Sequence, residues 1–138
     1  MADDIDRYVK DRQREIADRS RSVYSDTAVE RFYNPRNLGR LTDPDAHGIV
    51  HGWCGDTMEI YLRVVEGRIR AARFMTDGCG PTVACGSMLT SMVEGLSQAE
   101  ALEIAPQQLI DALGGLPRSN AHCAKLAVDA LRAALSSS

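Results

Sequence analysis

Two alternating runs joined by a two-residue turn limit the fold of this chain more than any other feature. Met58, Ile60, Leu62 and Val64 alternate with Glu59, Tyr61, Arg63 and Val65. A period of two puts the first set on a buried face and the second toward solvent, which is the signature of a half-buried strand. Glu66-Gly67 is a tight-turn signal, and Arg68 to Thr76 returns as the second arm of a hairpin. Gly48 to Trp53 reads as a further short strand. A small three-stranded antiparallel meander is therefore expected.

Helices surround it. Ser25 to Tyr33 reads as a short helix, with Ser25 or Asp26 as the cap and Val29, Phe32 and Tyr33 facing inward. Asn34-Pro35-Arg36-Asn37-Leu38-Gly39 breaks it, because Pro35 cannot continue a helix and Gly39 permits a turn. Leu41 to Ala46 reads as loop. After Gly78-Cys79-Gly80-Pro81 the period changes again. Pro81 or Thr82 suits a first helical turn, and Val83, Met88, Leu89, Met92 and Val93 share a face until Gly95. Ser97 caps a short helix through Ile104, and Pro106 opens another that stops at Gly114-Gly115. Leu116 to Asn120 reads as loop. The last helix runs from His122 to Leu135, with Ala127, Ala130, Leu131, Ala134 and Leu135 as its apolar face. Those small residues imply close packing on the sheet, and Ser136-Ser137-Ser138 reads as a frayed tail.

Residues 3–21 are charged, with Ile5, Val9 and Ile16 as a thin apolar stripe. The expectation is a solvated N-terminal helical extension that leans on the body or a partner, with an unstructured extension as the alternative. The order of elements gives an α+β class: a small three-stranded antiparallel sheet with helices packed on one face. The expected division is a charged extension over 1–23 and one folded domain over 24–138.

A length of 138 residues with 44% apolar side chains suits a single ordinary core. The formal net charge of −3, with no basic run interleaved with aromatics, weighs against nucleic acid as a partner. No apolar stretch approaches the roughly 18 residues a membrane span needs, so no membrane is expected. The acidic Met1 to Asp6 segment is unlike a secretory signal, which points to the cytoplasm. Thiols stay reduced there, so four cysteines imply metal binding or chemistry rather than disulfides.

The cysteines sit in telling contexts. Cys54-Gly55-Asp56 lies between two strand signals, where Gly55 lets both flanking side chains reach one atom. On its own the motif reads first as a tight turn with an incidental cysteine. Cys79 lies between Gly78 and Gly80 ahead of a helix, whose free amides and dipole favour a negatively charged sulfur. Its bland reading is a small buried residue at a strand exit. His122-Cys123 falls in the first turn of the last helix. Neighbours in a regular helix do not easily share one metal, so Cys123 ranks above His122, which could ligate, relay a proton or simply cap. Cys85 is balanced between a core residue and a member of the site. His47 and His51 read as strand-face histidines, and Trp53 as core or as a shield over Cys54. Thiolate, carboxylate and imidazole from separate segments make a plausible soft-metal or iron–sulfur site.

Taken together, the motifs resemble the U-type iron–sulfur cluster scaffold family, which includes IscU, SufU and the N-terminal domain of NifU. The matching residues are Tyr33-Asn34-Pro35-Arg36-Asn37-Leu38-Gly39, Cys54-Gly55-Asp56, Gly78-Cys79-Gly80 with Ala84, Gly95, and Leu116-Pro117…His122-Cys123 with Leu126-Ala127 and Asp129-Ala130. They cover about residues 24–135. The resemblance implies a carrier without classical turnover. It would build a transient [2Fe-2S] cluster from iron and from sulfur delivered as persulfide by a cysteine desulfurase, and hand it to acceptor apoproteins. By motif, Cys54, Cys79 and Cys123 would be thiolate ligands and Asp56 the oxygen ligand that keeps the cluster labile. His122 would be an alternative ligand, and Cys123 the persulfide acceptor.

The chain also departs from the family. Relatives of the IscU kind carry Leu-Pro-Pro-Val-Lys for an Hsp70-type chaperone. Here Leu116-Pro117-Arg118-Ser119-Asn120 stands instead, which weighs against chaperone-assisted transfer. The insertion of the zinc-binding SufU branch has no evident room between Cys79 and Cys123. Cys85 replaces a small or hydroxyl residue and could be a fourth thiolate, a persulfide relay or a disulfide partner of Cys79. The rival readings are a zinc-dependent sulfurtransferase holding Zn with Cys54, Asp56, Cys79 and Cys123, and a structural zinc protein. A thiol oxidoreductase is disfavoured because no Cys-x-x-Cys occurs. The sequence is compatible with a monomer or a dimer.

Overall fold

Helix α1 (Asp26–Tyr33) begins where Ser25 can cap it: the Ser25 Oγ accepts the Ala28 amide hydrogen at 3.0 Å. The structure is a computed structural model that describes residues 23–52 and 55–137. The expectations for residues 3–21, Trp53, Cys54 and Ser138 fall outside the described residues.

Strands β1 (Ala46–His51), β2 (Thr57–Val65) and β3 (Arg68–Thr76) form one antiparallel sheet in the order β1-β2-β3. Both residues of the β2–β3 turn are left-handed, Glu66 at φ 53° and Gly67 at φ 77°. A two-residue hairpin turn that follows the strand twist needs that geometry. β1 starts and ends two residues earlier than the expected Gly48 to Trp53. Ala46 already pairs with Leu62, and past His51 the Gly52 amide turns to a local partner.

The period-two reading holds through Met58, Ile60 and Leu62, all fully buried. A bulge between Arg63 and Val64 then breaks it. Beyond the bulge Ile69, not Val64, fills the core. Tyr61, expected toward solvent, is buried because the His47 ring stacks on it at 4.5 Å.

Helices α2 (Gly80–Val93), α3 (Gln98–Leu102) and α4 (Pro106–Ala112), a 3-10 turn (Arg118–Asn120) and helix α5 (Ala121–Ser137) complete the chain. The 3-10 turn lies inside the expected Leu116 to Asn120 loop. α3 stops short of the expected Ile104. Its start is a capping box: Ser97 Oγ accepts from the Glu100 amide while Glu100 accepts from the Ser97 amide. Ser136 and Ser137 extend α5 instead of fraying. Ser137 Oγ accepts from the His47 amide at 3.2 Å and donates to the His47 carbonyl at 3.0 Å.

The two long helices cover one face of the sheet. α5 presses on β1 through small residues: a Cβ on Gly48 would stand 2.2 Å from the Ala134 backbone nitrogen. α2 presses on β3 at Gly86, where a Cβ would meet the Phe74 ring at 2.4 Å. α2 is buried well beyond the single face expected, including Ala84, Cys85, Ser87 and Thr90, because α1, β3 and α5 all pack around it. Arg31 on α1 is buried and fixes that contact. Its Nη1 donates to the Ser87 carbonyl, Ser87 Oγ and Ser91 Oγ at 3.2, 3.1 and 2.9 Å.

The Asn34 to Gly39 segment, which breaks α1, also stitches elements together. The Arg36 amide donates to Ser87 Oγ, and Asn37 Nδ2 to Thr90 Oγ1. Asn37 and Gly39 bracket Phe74 with backbone bonds of 2.9 Å each. No described helix is long and apolar enough to cross a membrane.

Candidate functional site

One end of the sheet gathers the candidate residues. There the Thr57 amide donates to Asp77 Oδ1 at 2.8 Å, and Thr76 Oγ1 donates to the Thr57 carbonyl at 2.5 Å. The Gly78 amide donates back to Thr76 Oγ1 at 3.1 Å. These bonds hold the segment before β2, carrying Asp56, beside the segment after β3, carrying Cys79. The loop before β2 is tight. The Gly52 amide donates to the Asp56 carbonyl at 2.6 Å and the Gly55 amide to the Gly52 carbonyl at 3.0 Å. Gly55 sits at φ +97°, a conformation L side chains rarely adopt. Cys54 is covalently part of this loop but outside the described residues.

Cys79 is the N-cap residue of α2. It is exposed, and its side chain makes no capping hydrogen bond. Cys123, in the first turn of α5, is buried at 1% exposure. Between it and Asp56 stands Thr82. The Thr82 Oγ1 lies 3.2 Å from Asp56 Oδ2 and 3.4 Å from Cys123 Sγ, donating toward both. A carboxylate from the sheet edge and a sulfur from the last helix thus meet on one hydroxyl of α2. His122 Nε2 approaches Cys123 Sγ to 3.7 Å. The two side chains thus approach each other in the first turn of α5.

Cys85, like Cys123, is shut off from solvent. It is fully buried in the core. Burial pushes its thiol well up, and charge on Cys123 and Cys79 pushes it further. Cys85 is thereby kept as a neutral thiol. Tyr24 packs edge-on against Phe32, ring centroids 5.0 Å apart. Burial raises its hydroxyl pKa, the hydrogen bond from Asn120 opposes this, and charge on Cys79 and Cys123 adds to the rise. Asn120 Nδ2 reaches the Tyr24 oxygen at 2.6 Å, tying the turn before Cys123 to the start of α1.

His47 and His51 have other partners. His47 Nε2 is 3.2 Å from Glu59 Oε1, and His51 Nδ1 is 2.9 Å from Thr57 Oγ1. A groove of about 240 Å³ runs along His51, Gly52, His122, Lys125 and Asp129, sharing His122 with the site. Among the described residues no three His, Cys, Asp or Glu side chains stand close enough to enclose a metal ion.

Sequence reasoning read Thr82 only as a helix starter and passed over Tyr24. One signal could have found Thr82: it follows Cys79 by three residues, so both occupy one side of the first turn of α2.

Residues 23–137 match the model of the family described as the NifU-like N-terminal domain. A protein of Archaeoglobus fulgidus named as an iron–sulfur cluster assembly scaffold protein IscU is 45% identical over 114 residues, 82% of this chain and 74% of its own length. The protein of the same name from Azotobacter vinelandii is 39% identical over 118 residues, 82% of this chain and 91% of its own. A crystal structure from Fervidobacterium islandicum, titled a scaffold protein for the SUF system, superposes with a TM-score of 0.70 at 15% identity. It covers 84% of this chain and 98% of its own, a likeness of fold. With its three-stranded antiparallel sheet, its helical cover and this match along most of its length, the chain belongs to the NifU-like N-terminal domain family.

Proposed function

We propose that this protein is a scaffold on which an iron–sulfur cluster is assembled and from which it passes to acceptor apoproteins. The observation that carries the reading is the meeting of Asp56 and Cys123 on the Thr82 hydroxyl, at the end of the sheet where Cys79 begins α2. The names of the relatives support the same class of function. The acting unit is residues 24–138, and the cluster is [2Fe-2S].

In this reading sulfur arrives as a persulfide on a cysteine desulfurase. The Cys123 thiolate attacks the outer sulfur, the donor S–S bond breaks, and the desulfurase thiolate leaves with the electron pair. Cys123 then carries the persulfide, and two electrons from an external reductant release it as sulfide. Iron and sulfide are held by the thiolates of Cys54, Cys79 and Cys123, with Asp56 as the oxygen ligand and His122 in reserve. A carboxylate is a harder donor than thiolate and a poorer match to an iron–sulfur core. One such ligand leaves the cluster releasable, which a carrier needs.

Anaerobic incubation with ferrous iron, cysteine and a cysteine desulfurase tests this. The expected result is the visible absorbance of a [2Fe-2S] cluster with equal iron and acid-labile sulfide, lost in Cys54→Ser, Cys79→Ser and Cys123→Ser. Tightly held zinc with no cluster, and sulfur recovered only on Cys123, would favour the zinc-dependent sulfurtransferase instead.

A further inference from the structure

We infer that Thr82 is a positioning residue: its hydroxyl sets Asp56 and Cys123 in place for a shared metal ion before any metal arrives. The inference rests on the metal-site reading above and goes beyond it to a residue outside the ligand set.

Thr82 is fully buried. A buried threonine inside a helix commonly turns its hydroxyl back onto a carbonyl one turn earlier. Thr90 on the same helix does so, donating to the Gly86 carbonyl at 2.7 Å and the Ser87 carbonyl at 3.1 Å. Thr82 instead directs its hydroxyl outward from α2, to the Asp56 carboxylate and the Cys123 sulfur. These acceptors come from different elements, 26 and 41 residues away. The hydroxyl has a single hydrogen, and sharing it between the two acceptors in a three-centre bond holds both neighbours at one point.

The neighbourhood is shaped around this side chain. A Cβ on Gly78 would stand 2.7 Å from Thr82 Cβ and 2.8 Å from its Oγ1. Gly78 is therefore the residue that leaves room for Thr82 beneath the Cys79 segment. Three segments of the site, those of Asp56, Cys79 and Cys123, all bear on Thr82.

Groups that orient metal ligands without touching the metal typically change affinity by about 10–100-fold when removed. Thr82 fits that role. Asp56 keeps lone pairs free for an ion while one oxygen stays tied to Thr82. Without the hydroxyl, Asp56 keeps among the described residues only its backbone bond to Gly52, and carboxylate and sulfur must find each other anew each time a metal binds.

The test compares wild type with Thr82→Val and Thr82→Ser. Zinc affinity is measured by competition with a chromophoric chelator, and amide exchange of Gly52 and Gly55 in metal-free protein. Thr82→Val is expected to lose about 10–100-fold in zinc affinity and to exchange those amides faster, while Thr82→Ser stays near wild type on both. Should the valine variant not fold, Thr82→Ala removes the hydroxyl while relieving the crowding at Gly78, and the same loss is expected. Equal affinity in the hydroxyl-free variants, or loss in Thr82→Ser as large as in Thr82→Val, overturns the inference and leaves the metal site standing. A wild-type protein that binds neither zinc nor an iron–sulfur cluster overturns the functional reading itself.

Discussion

Substituting Gly48 by alanine probes how the sheet holds the helix that carries Cys123. The added Cβ would stand 2.2 Å from Ala134 N, 2.5 Å from Ala130 O and 2.8 Å from Ala133 C. All three are backbone atoms, so no side chain can rotate away and α5 must move off β1. An ordinary carbon contact is about 3.5–4.0 Å, which puts the required shift at about 1.3–1.8 Å. Overpacking a close-packed site costs about 1–3 kcal/mol, and a backbone clash belongs at the upper end. At about 4 °C per kcal/mol for a domain of this size, Gly48→Ala should lower Tm by about 12 °C. Thermal unfolding followed by circular dichroism reads this directly. Gly55→Ala is the control: it has open space around it and suffers only the strain of φ +97°, about 1 kcal/mol. A loss below about 0.5 kcal/mol in Gly48→Ala, the range of surface changes, would refute the close approach of α5 to β1.

Other outcomes follow from the same structure. Asp56→Ala should lengthen the life of an assembled cluster and slow its transfer; equal transfer rates in variant and wild type would contradict the role given to the carboxylate. Arg31→Met removes the donors to Ser87 and Ser91. It should cost about 2 kcal/mol, read from the urea midpoint, and an unchanged midpoint would count against the buried contact. Cys79 should react with iodoacetamide in the folded apoprotein well before Cys85, which burial shields; equal labelling by peptide mass spectrometry would contradict the placement of Cys85. The raised pKa of Cys85 also predicts a pH dependence. Below its ordinary value of 9.0 both states keep the proton and its contribution is fully present. As pH rises further the unfolded thiol ionises and the folded one does not, so stability falls. Wild type should therefore lose up to about 1.4 kcal/mol per pH unit more than Cys85→Ala, and parallel stability curves would refute this.

The hairpin was readable because its signals are local: Met58 to Leu62 alternate, and Glu66-Gly67 is a turn in any context. The helix starts were readable for the same reason, from Ser25, Pro81, Ser97 and Pro106. What escaped notice depends on partners far along the chain. The bulge at Arg63/Val64 hands the core position to Ile69 across the hairpin, and no pattern within β2 announces it. Ser137 reads as a frayed end until His47 is beside it. The residues carrying the family motif at Asn34 to Gly39 were visible, but not that they bracket Phe74 and cap the hydroxyls of Ser87 and Thr90. The candidate ligands were legible from residue type and glycine context. Thr82 was not, because threonine near a helix start has an ordinary local explanation and its partners lie on other elements.

The most direct test of the central claim is transfer. A cluster assembled on this protein with isotopically labelled iron and sulfide is mixed with an apo-ferredoxin and a chelator that traps free iron, and both proteins are then separated and counted. The account predicts that label leaves the scaffold and appears in the acceptor as an intact cluster, faster than the chelator can intercept it. A cluster that stays on the scaffold, or that reaches the acceptor only when no chelator is present, would contradict it.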